Sequence, residues 1–313
     1  MIDALNAGIA LLLLALGAYA VMAKDVFAAL VGYIAYGLLL TLAWMQLRGP
    51  DVALTEAAIG GGLTGAMLIA AATRLRDRDA AARAPMPGIG ARVLAATLSA
   101  VVASAVAWSV ASLPEPAATL APQTLAAMPA LEVGNPVTAV LLGFRALDTL
   151  LEAIVVVLAL IGVWSLAPDK AWGGRLGRLQ HAQPDGMLAY AARILAPIGI
   201  VIGMYIFWIG ADLPGGKFQG ATLLAAMWLL VWMAGLTDAP AVDRRWLRAM
   251  LVAGPLAFVA IGVFGAVQAG AFLAYPAGLA KPLIIVIEIA LMPTLTLVLA
   301  LVLVGPPLRE PER

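Results

Sequence analysis

The chain has 313 residues, of which 63% are hydrophobic and 12% are charged, with a formal net charge of +1. A soluble domain carries about 25% charged residues, so this composition indicates a membrane protein, and no basic tract points to nucleic acid. The absence of cysteine excludes thiolate-bound iron–sulfur clusters and disulfides, and the single histidine, His181, excludes a bis-histidine haem inside the bundle. We therefore predict no cofactor, no metal centre and no enzymatic activity.

The apolar residues come in nine long blocks, many of them long enough for a helix to cross a bilayer. The blocks lack the period-2 alternation of a transmembrane β-barrel. The sequence therefore predicts an all-α, polytopic transmembrane helix bundle of about nine spans. The blocks are residues 4–22, 26–46, 52–73, 93–111, 149–166, 188–209, 220–236, 248–265 and 283–304.

Lysine and arginine are distributed unequally between alternate loops. One set of loops holds 14 of them, whereas the other holds 3, which are Arg48, Lys217 and Lys281. Because cytoplasmic loops are enriched in Lys and Arg, we expect the N-terminus outside and the C-terminus in the cytoplasm of a prokaryotic inner membrane.

Three polar stretches, at residues 74–92, 112–135 and 167–187, interrupt the apolar blocks. The first is basic and predicted cytoplasmic, and the second is rich in Pro and Ala and predicted external. They divide the chain into predicted modules of three, two and four helices. The modules span residues 1–90, 91–167 and 186–306.

The first acidic motif is PDVALTEAAIGGG at residues 50–62. Glu56 lies inside an apolar span, about 7.5 Å beyond Asp51 at a rise of 1.5 Å per residue. An ionisable group there costs about 2.5–3.5 kcal/mol on insertion scales, so it usually faces a partner or a water-filled cavity. We predict Glu56 to be a proton relay. Asp51 either caps the helix after Pro50 or guards the mouth of the ion path.

The glycines Gly60, Gly61 and Gly62 follow Glu56 directly. They favour a π-bulge or a rotatable helix hinge. The alternative is that they only allow another helix to pack closely, since Gly61 and Gly65 form a GxxxG pattern.

The second motif is GFRALDTLLEAIVVV at residues 143–157. The spacing of Arg145, Asp148 and Glu152 allows all three to share one helical face. They form either a structural ion pair or, because two carboxylates exceed one arginine, a cation site on the ion path. A helix over 137–166 would be about 45 Å long, which exceeds a core of about 30 Å. Residues 137–147 therefore either lie on the external surface or enter partway and turn.

The third motif is KPLIIVIEIALMPTL at residues 281–295. Glu288 is predicted about 8 Å inside the span, with Pro293 freeing a carbonyl beside it. This favours a cation or proton site with Lys281 as a charge partner. The alternative is a protonated Glu288 that makes an interhelical hydrogen bond. The loop GADLPGGKFQGA at residues 210–221 is interpreted as turn chemistry.

These motifs resemble one family. PDVALTEAAIG resembles the signature of the J-type module shared by Mrp-type multisubunit sodium/proton antiporters and membrane-bound hydrogenases, in which it belongs to the hydrogenase D subunit. The stretch NPVTAVLLGFRALDTLLEAIVVVLALIGVWSL resembles the hydrogenase E subunit. ARILAPIGIVIGMYIFWIGADLPGGKFQGATLLAAMWLL resembles the Mrp B subunit. Together the three segments cover nearly the whole chain, as in a fusion of the three subunits.

The resemblance implies a position beside antiporter-like subunits and a K-type small subunit, with Na⁺ and H⁺ as transported ions. Glu56, Asp148 and Glu152 fall on the acidic positions of the family. Two departures concern the B-type loop, which usually carries a His near Ala211 and a glycine where Lys217 stands.

Three functions follow as hypotheses. The first is an ion-translocating subunit of a monovalent cation/proton antiporter. The second is a membrane-arm subunit of a redox-driven pump, such as a hydrogenase or a complex I-like machine. The third is a non-conducting scaffold that anchors a partner. A carrier that works alone is the weakest option, because the chain shows no clear internal repeat.

Overall fold

The computed structural model describes residues 2–79, 88–116, 118–180 and 186–310. This part of the chain is almost entirely helical and contains no β-strand beyond isolated bridges between loops. The predicted loop residue His181 lies outside the described residues. The helices are α1 (Ile2–Met22), α2 (Val26–Gln46), α3 (Pro50–Thr55), α4 (Thr64–Asp79), α5 (Ile89–Ala111), α6 (Ala121–Ala127), α7 (Pro136–Thr138), α8 (Ala146–Trp164), α9 (Met187–Ile209), α10 (Lys217–Met233), α11 (Arg245–Ala269) and α12 (Ala280–Val304).

Eight segments of the described chain are long and apolar enough to cross a membrane. They correspond to eight of the nine predicted blocks. The remaining block is α10, an apolar helix of 17 residues. The prediction of an all-α, polytopic bundle is thus confirmed, whereas the orientation of its ends stays a prediction.

The third span is one continuous segment made of α3, a π-helix at Glu56–Leu63 and α4. The π-helix packs against α2 where two glycines meet. A Cβ atom on Gly37 would lie only 3.1 Å from Cα of Gly61. The glycine-rich sequence thus permits both the wide π-turns and a close helix–helix contact.

The segment before α8 packs into the interior of the protein. α7 continues into a second π-helix at Ala139–Phe144, and the helix breaks at Arg145. Ala139 and Leu142 are almost fully buried. Side-chain hydroxyls bind the carbonyls near the break: Thr149 donates to Leu141 at 2.5 Å and Tyr275 donates to Leu142 at 2.7 Å. These hydroxyls compensate for the interrupted helical hydrogen bonds.

The region predicted as an external loop is partly helical. α6 runs into a 3₁₀ turn at Met128–Leu131, and this helical pair is bent by 88° relative to Pro136–Phe144. The two pieces form either a broken span or a re-entrant loop. The Pro-rich composition concealed this helix, because proline fits the first turn of a short helix as well as a loop.

The largest core lies between α8, α10, α11 and α12, and α12 is its most buried element. A threonine of α12 inserts into α11: the hydroxyl of Thr294 donates to the carbonyl of Met250 and accepts from the N–H of Gly254. Pro255 is the next residue of α11, so the two changes to its hydrogen-bond ladder lie side by side. By contrast, α5 has no buried residue.

Candidate functional site

The candidate site is a cavity of about 430 Å³ where the three predicted modules meet. Its walls come from α3 and the first π-helix, from α7 and the second π-helix, and from α8, α10 and α12. Most of the wall is apolar, but charged and amide or hydroxyl side chains face the space. These are Asp51, Thr55, Thr138, Glu152, Lys217, Gln219 and Glu288.

Lys217 and Glu288 are the most deeply buried charges of this site. The side chains are 4% and 5% exposed, and Nζ of Lys217 lies 4.0 Å from Oε1 of Glu288. The ammonium also lies 5.4 Å from the centre of the Phe218 ring. Lys217 is the first residue of α10, where the positive end of the helix dipole disfavours a cation. The carboxylates around the cavity offset that penalty.

Glu288 borders two cavities. Besides the large cavity it lines a smaller one of about 140 Å³, which also contains Asp212 and Lys281. Nζ of Lys281 donates to both carboxylate oxygens of Asp212, at 2.8 and 2.9 Å. This hydrogen bond holds the pKa of Asp212 below its usual value. The buried carboxylate of Glu288 therefore lies between the large cavity and the smaller cavity, a niche beside the partly exposed ion pair of Asp212 and Lys281.

Asp51 joins the three modules. Its Oδ1 accepts hydrogen bonds from Nδ2 of Asn135 and from the backbone N–H of Gly215, both at 3.1 Å. Asn135 also donates to the carbonyls of Gly210 and Leu213. Gly215 has φ of +152°, a backbone conformation that favours glycine. Asp51 is 8% exposed, and the N-cap of α3 is Gly49, so the helix-cap interpretation is wrong.

The acidic cluster of α8 divides into two parts. Arg145 and Asp148 form an ion pair of 2.5 Å, with side chains that are 69% and 52% exposed. Glu152 lies one turn further along and lines the large cavity. The predicted ion pair is present, but it forms away from the cavity, whereas Glu152 faces it.

Glu56 lies at the contact between the third span and α2. It is half-buried and is not among the residues that line the large cavity. Its carboxylate lies against Gly60, one turn further along the chain, and faces Gly37 of α2. Glu56 therefore occupies the interface between α2 and the first π-helix, next to Gly60, Gly61 and Gly62.

Two lysines of this region form ion pairs, and one of them departs from its prediction. Lys281, predicted to be a charge partner, pairs with Asp212. Lys217, assigned to an external loop, is buried at the start of α10 and pairs with Glu288. The loop before α10 turns so tightly that a Cβ on Gly210 would lie 2.5 Å from Cα of Gly216. That turn places the Lys217 side chain in the interior of the protein.

Sequence reasoning also missed Asn135, Gly215 and Gln219. Gln219 donates to the hydroxyl of Thr55 at 2.9 Å and so links α10 to α3. Asn135 precedes Pro136 and caps α7, as shown by its hydrogen bond to the N–H of Val137. The Asn-Pro pair predicts a helix start, but nothing local shows that the amide reaches two other modules.

Comparisons with known proteins agree with this architecture. The family of the MBH D subunit matches residues 11–77, and a domain related to the MnhB subunit of a Na⁺/H⁺ antiporter matches residues 187–306. The chain is a membrane module of the type shared by Mrp antiporters and membrane-bound hydrogenases. As such, it is a multi-pass protein of a prokaryotic membrane.

Two curated relatives resemble this Mrp/hydrogenase-type module. An uncharacterised protein of Methanocaldococcus jannaschii is 27% identical over 156 residues, which are 45% of this chain and 60% of that protein. A probable A/B subunit of a K⁺/H⁺ antiporter from Rhizobium meliloti is 26% identical over 166 residues, again 45% of this chain but 16% of that protein. The chain thus spans less than two thirds of the length of either relative.

Two solved complexes have chains with a similar fold. A chain of the Mrp complex from Dietzia sp. DQ12-45-1b matches with a TM-score of 0.73 and 22% identity, over 97% of this chain and 35% of that one. A chain of the membrane-bound sulfane sulfur reductase, an archaeal respiratory membrane complex, matches with a TM-score of 0.55 and 25% identity, over 69% of this chain and 99% of that one. Both neighbours belong to multisubunit membrane complexes, which supports other membrane subunits as partners.

Proposed function

We propose that this module is an ion-translocating subunit of a multisubunit monovalent cation/proton antiporter, without enzymatic activity of its own. The observation that carries the proposal is the charged cavity at the meeting point of the three predicted modules, which contains the buried pair of Lys217 and Glu288. Three carboxylates and one ammonium line it. Charged groups inside a membrane protein are costly and usually mark ion or proton paths. The probable K⁺/H⁺ antiporter relative supports the antiporter assignment.

In this proposal Glu288 and Glu152 carry the ion path through the cavity. Glu288 lines both the large cavity and the niche beside Asp212 and Lys281, and the exposed Glu152 on α8 lines the large cavity. The proposed partners are antiporter-like subunits and a K-type small subunit, with Na⁺ or K⁺ and H⁺ as transported ions. Asp51 holds the modules together at the mouth of the cavity, and Glu56 acts at the interface with α2.

The test is cation-dependent proton exchange per assembled complex in inverted vesicles. We expect Glu288→Gln to assemble in normal amounts and to lose most of the exchange, because the amide keeps the size of the side chain but not its ability to carry a proton. Asp243→Asn is the matched control, since Asp243 is an exposed loop carboxylate away from the cavity. Exchange at the wild-type rate in Glu288→Gln would favour the scaffold hypothesis over an ion path through Glu288.

A redox-driven membrane complex is the second candidate. It is favoured by the match to the hydrogenase D-subunit family and by the respiratory complex, of which the alignment covers 99% of the similar chain. The chain has no cysteine, so iron–sulfur clusters held by thiolates would have to reside in other subunits. Mass spectrometry of the intact purified complex separates the candidates: iron–sulfur subunits that co-purify with this chain favour the redox-driven machine.

A further inference from the structure

Lys217 is an unusual residue to find at the centre of the candidate site. Its side chain is only 4% exposed, it starts a helix, and its ammonium faces Glu288 across 4.0 Å. That separation is longer than a direct hydrogen bond, so the two groups interact as charges or through a bridging water. Glu152 on α8 and Asp51 in the first turn of α3 face the same cavity.

An alkali cation bound to Glu288 would share that carboxylate with Nζ of Lys217, which lies 4.0 Å from Oε1. Both carry one positive charge, and both would be stabilised by Glu288 and Glu152. Two cations that share one buried carboxylate repel each other strongly. While Lys217 keeps its proton, the carboxylates therefore already have their counter-ion.

We propose that Lys217 is a specificity-determining residue, a tethered cation that replaces Na⁺ or K⁺ beside Glu288 and so makes this cavity a path for protons alone. The inference rests on the proposed function, because it assumes an ion path through the cavity. It assigns alkali cations to a route through other parts of the complex.

The geometry provides a sequence of proton transfers that balances. A proton from the niche beside Asp212 and Lys281 neutralises Glu288. The Lys217 ammonium, having lost its neighbouring anion, releases a proton through cavity water to Glu152 and becomes an amine. The proton on Glu288 then moves to the Lys217 amine and restores the ion pair. One proton has moved from the niche to Glu152, and no alkali ion has entered the cavity.

The test uses the whole complex in proteoliposomes, with proton flux read by a pH-sensitive dye and alkali-cation flux read with ²²Na⁺ and ⁸⁶Rb⁺. The variants are Lys217→Met, which removes the charge at similar length, and Lys217→Arg, which keeps a charge that does not titrate. The double variant Lys217→Met with Glu288→Gln removes both charges, so it leaves no buried ion unpaired. Lys170→Met is the control, since Lys170 is an exposed loop residue.

We expect Lys217→Met to lose about a hundredfold or more in proton flux, the scale of losing a positioned acid–base group, and to gain an alkali-cation flux. The double variant should not show that gain, because it lacks the Glu288 carboxylate that would bind the alkali cation in Lys217→Met. Lys217→Arg should lose proton flux without gaining alkali flux. Lys170→Met should behave as the wild type.

Wild-type proton flux in Lys217→Arg or Lys217→Met overturns the inference. A loss of proton flux in Lys217→Met without any alkali-cation flux also overturns it, since the cavity then does not bind an alkali cation when the lysine charge is absent. If Lys217→Met does not assemble, Lys217→Arg decides, because it preserves the buried charge. Wild-type cation-dependent proton exchange in Glu288→Gln would overturn the proposed function itself. If Glu288→Gln loses that exchange but Lys217→Arg keeps the wild-type proton flux, only the proposed role of Lys217 is overturned.

Discussion

Oδ1 of Asp51 accepts a hydrogen bond of 3.1 Å from Nδ2 of Asn135, a residue 84 positions further along the chain. The same oxygen accepts the N–H of Gly215 at 3.1 Å. One carboxylate oxygen therefore connects the third span to the segment before α8 and to the loop before α10. These three elements contribute to the wall of the large cavity, so these hydrogen bonds also help to fix the shape of the candidate ion path.

The first prediction separates the structural and conducting roles of Asp51. Asp51→Asn keeps an oxygen that can accept both hydrogen bonds. Asp51→Ala leaves the buried N–H of Gly215 without its acceptor, at a cost of about 1–3 kcal/mol, whereas the Asn135 amide keeps the carbonyls of Gly210 and Leu213. We expect Asp51→Ala to lower the thermal stability of the complex and Asp51→Asn to preserve it. The measurement is thermal unfolding together with the exchange rate. Loss of exchange in a stable Asp51→Asn complex assigns Asp51 to the ion path. Equal stability of the two variants would contradict the structural role of the hydrogen bonds to Asp51.

The helices were predictable because their signal is local. Long apolar blocks, and the cost of unsatisfied backbone groups in lipid, leave a helix as the simplest solution. The π-helix at Glu56–Leu63 was also foreseeable, since three consecutive glycines weaken regular helical packing. The bend between α6 and α7 was not, because its Pro-rich sequence fits an exposed loop equally well.

The charged site was only partly predictable. Hydrophobicity around Glu288 and the spacing of Glu152 marked both residues as candidates, and both line the cavity. Lys217 follows a Pro-Gly-Gly turn in the sequence, so it was assigned to the loop. Its burial depends on how tightly that turn closes and on the carboxylates of α8 and α12, which are tertiary facts.

The second prediction concerns the exposed ion pair of Arg145 and Asp148. Exposed pairs contribute about 0–1 kcal/mol to stability, and both side chains are more than half exposed. We expect Arg145→Ala and Asp148→Asn each to change the unfolding free energy of the complex by less than about 1 kcal/mol. A much larger loss of assembly in either variant, measured by the yield of intact complex, would show that a partner subunit covers this face.

The third prediction tests the orientation from the distribution of Lys and Arg. A reporter fused after residue 85 should read cytoplasmic, and one fused near Thr119 should read external. Cytoplasmic loops retain positive charge more readily than translocated ones, and 14 loop cations lie on one predicted side against 3 on the other. The reverse pair of reporter signals would overturn the orientation.

The fourth prediction concerns a loop cluster around Asp238. Arg309 and Arg175 both bind its carboxylate, and the hydrogen bond from Arg309 holds the pKa of Asp238 below its usual value. A depressed pKa stabilises the folded state above the unfolded value of about 3.9, and this stabilisation is lost as the pH falls through the folded value.

Asp238→Asn should therefore lower the stability at pH 7 by about 1 kcal/mol, since the carboxylate is partly exposed. The difference from the wild type should shrink progressively as the pH falls below 4. Thermal unfolding of the complex across that pH range measures it, with Asp243→Asn as the control for a loop carboxylate. A difference that is independent of pH would mean that the charge of Asp238 contributes nothing.

The last prediction tests Glu56 and the adjacent glycines with a matched pair of substitutions. A Cβ on Gly60 would collide with the Glu56 carboxylate, whereas a Cβ on Gly61 would have its nearest neighbours at 3.6 and 3.7 Å, an ordinary contact. Each Gly→Ala change also removes backbone freedom, which favours a helix by about 0.5–1 kcal/mol. The two variants therefore differ mainly in whether they displace Glu56.

If Glu56 is a relay, Glu56→Gln should assemble normally and lose most of the cation-linked proton exchange. Gly60→Ala should lose part of it because the carboxylate is displaced, and Gly61→Ala should keep it. The measurement is the exchange rate per assembled complex as a function of pH. Loss of exchange in Gly61→Ala would instead assign the glycines to a hinge, because that substitution restricts the backbone without touching the charge. Wild-type exchange in Glu56→Gln at every pH would remove Glu56 from the path and leave the cavity around Glu288 as its sole candidate among the described residues.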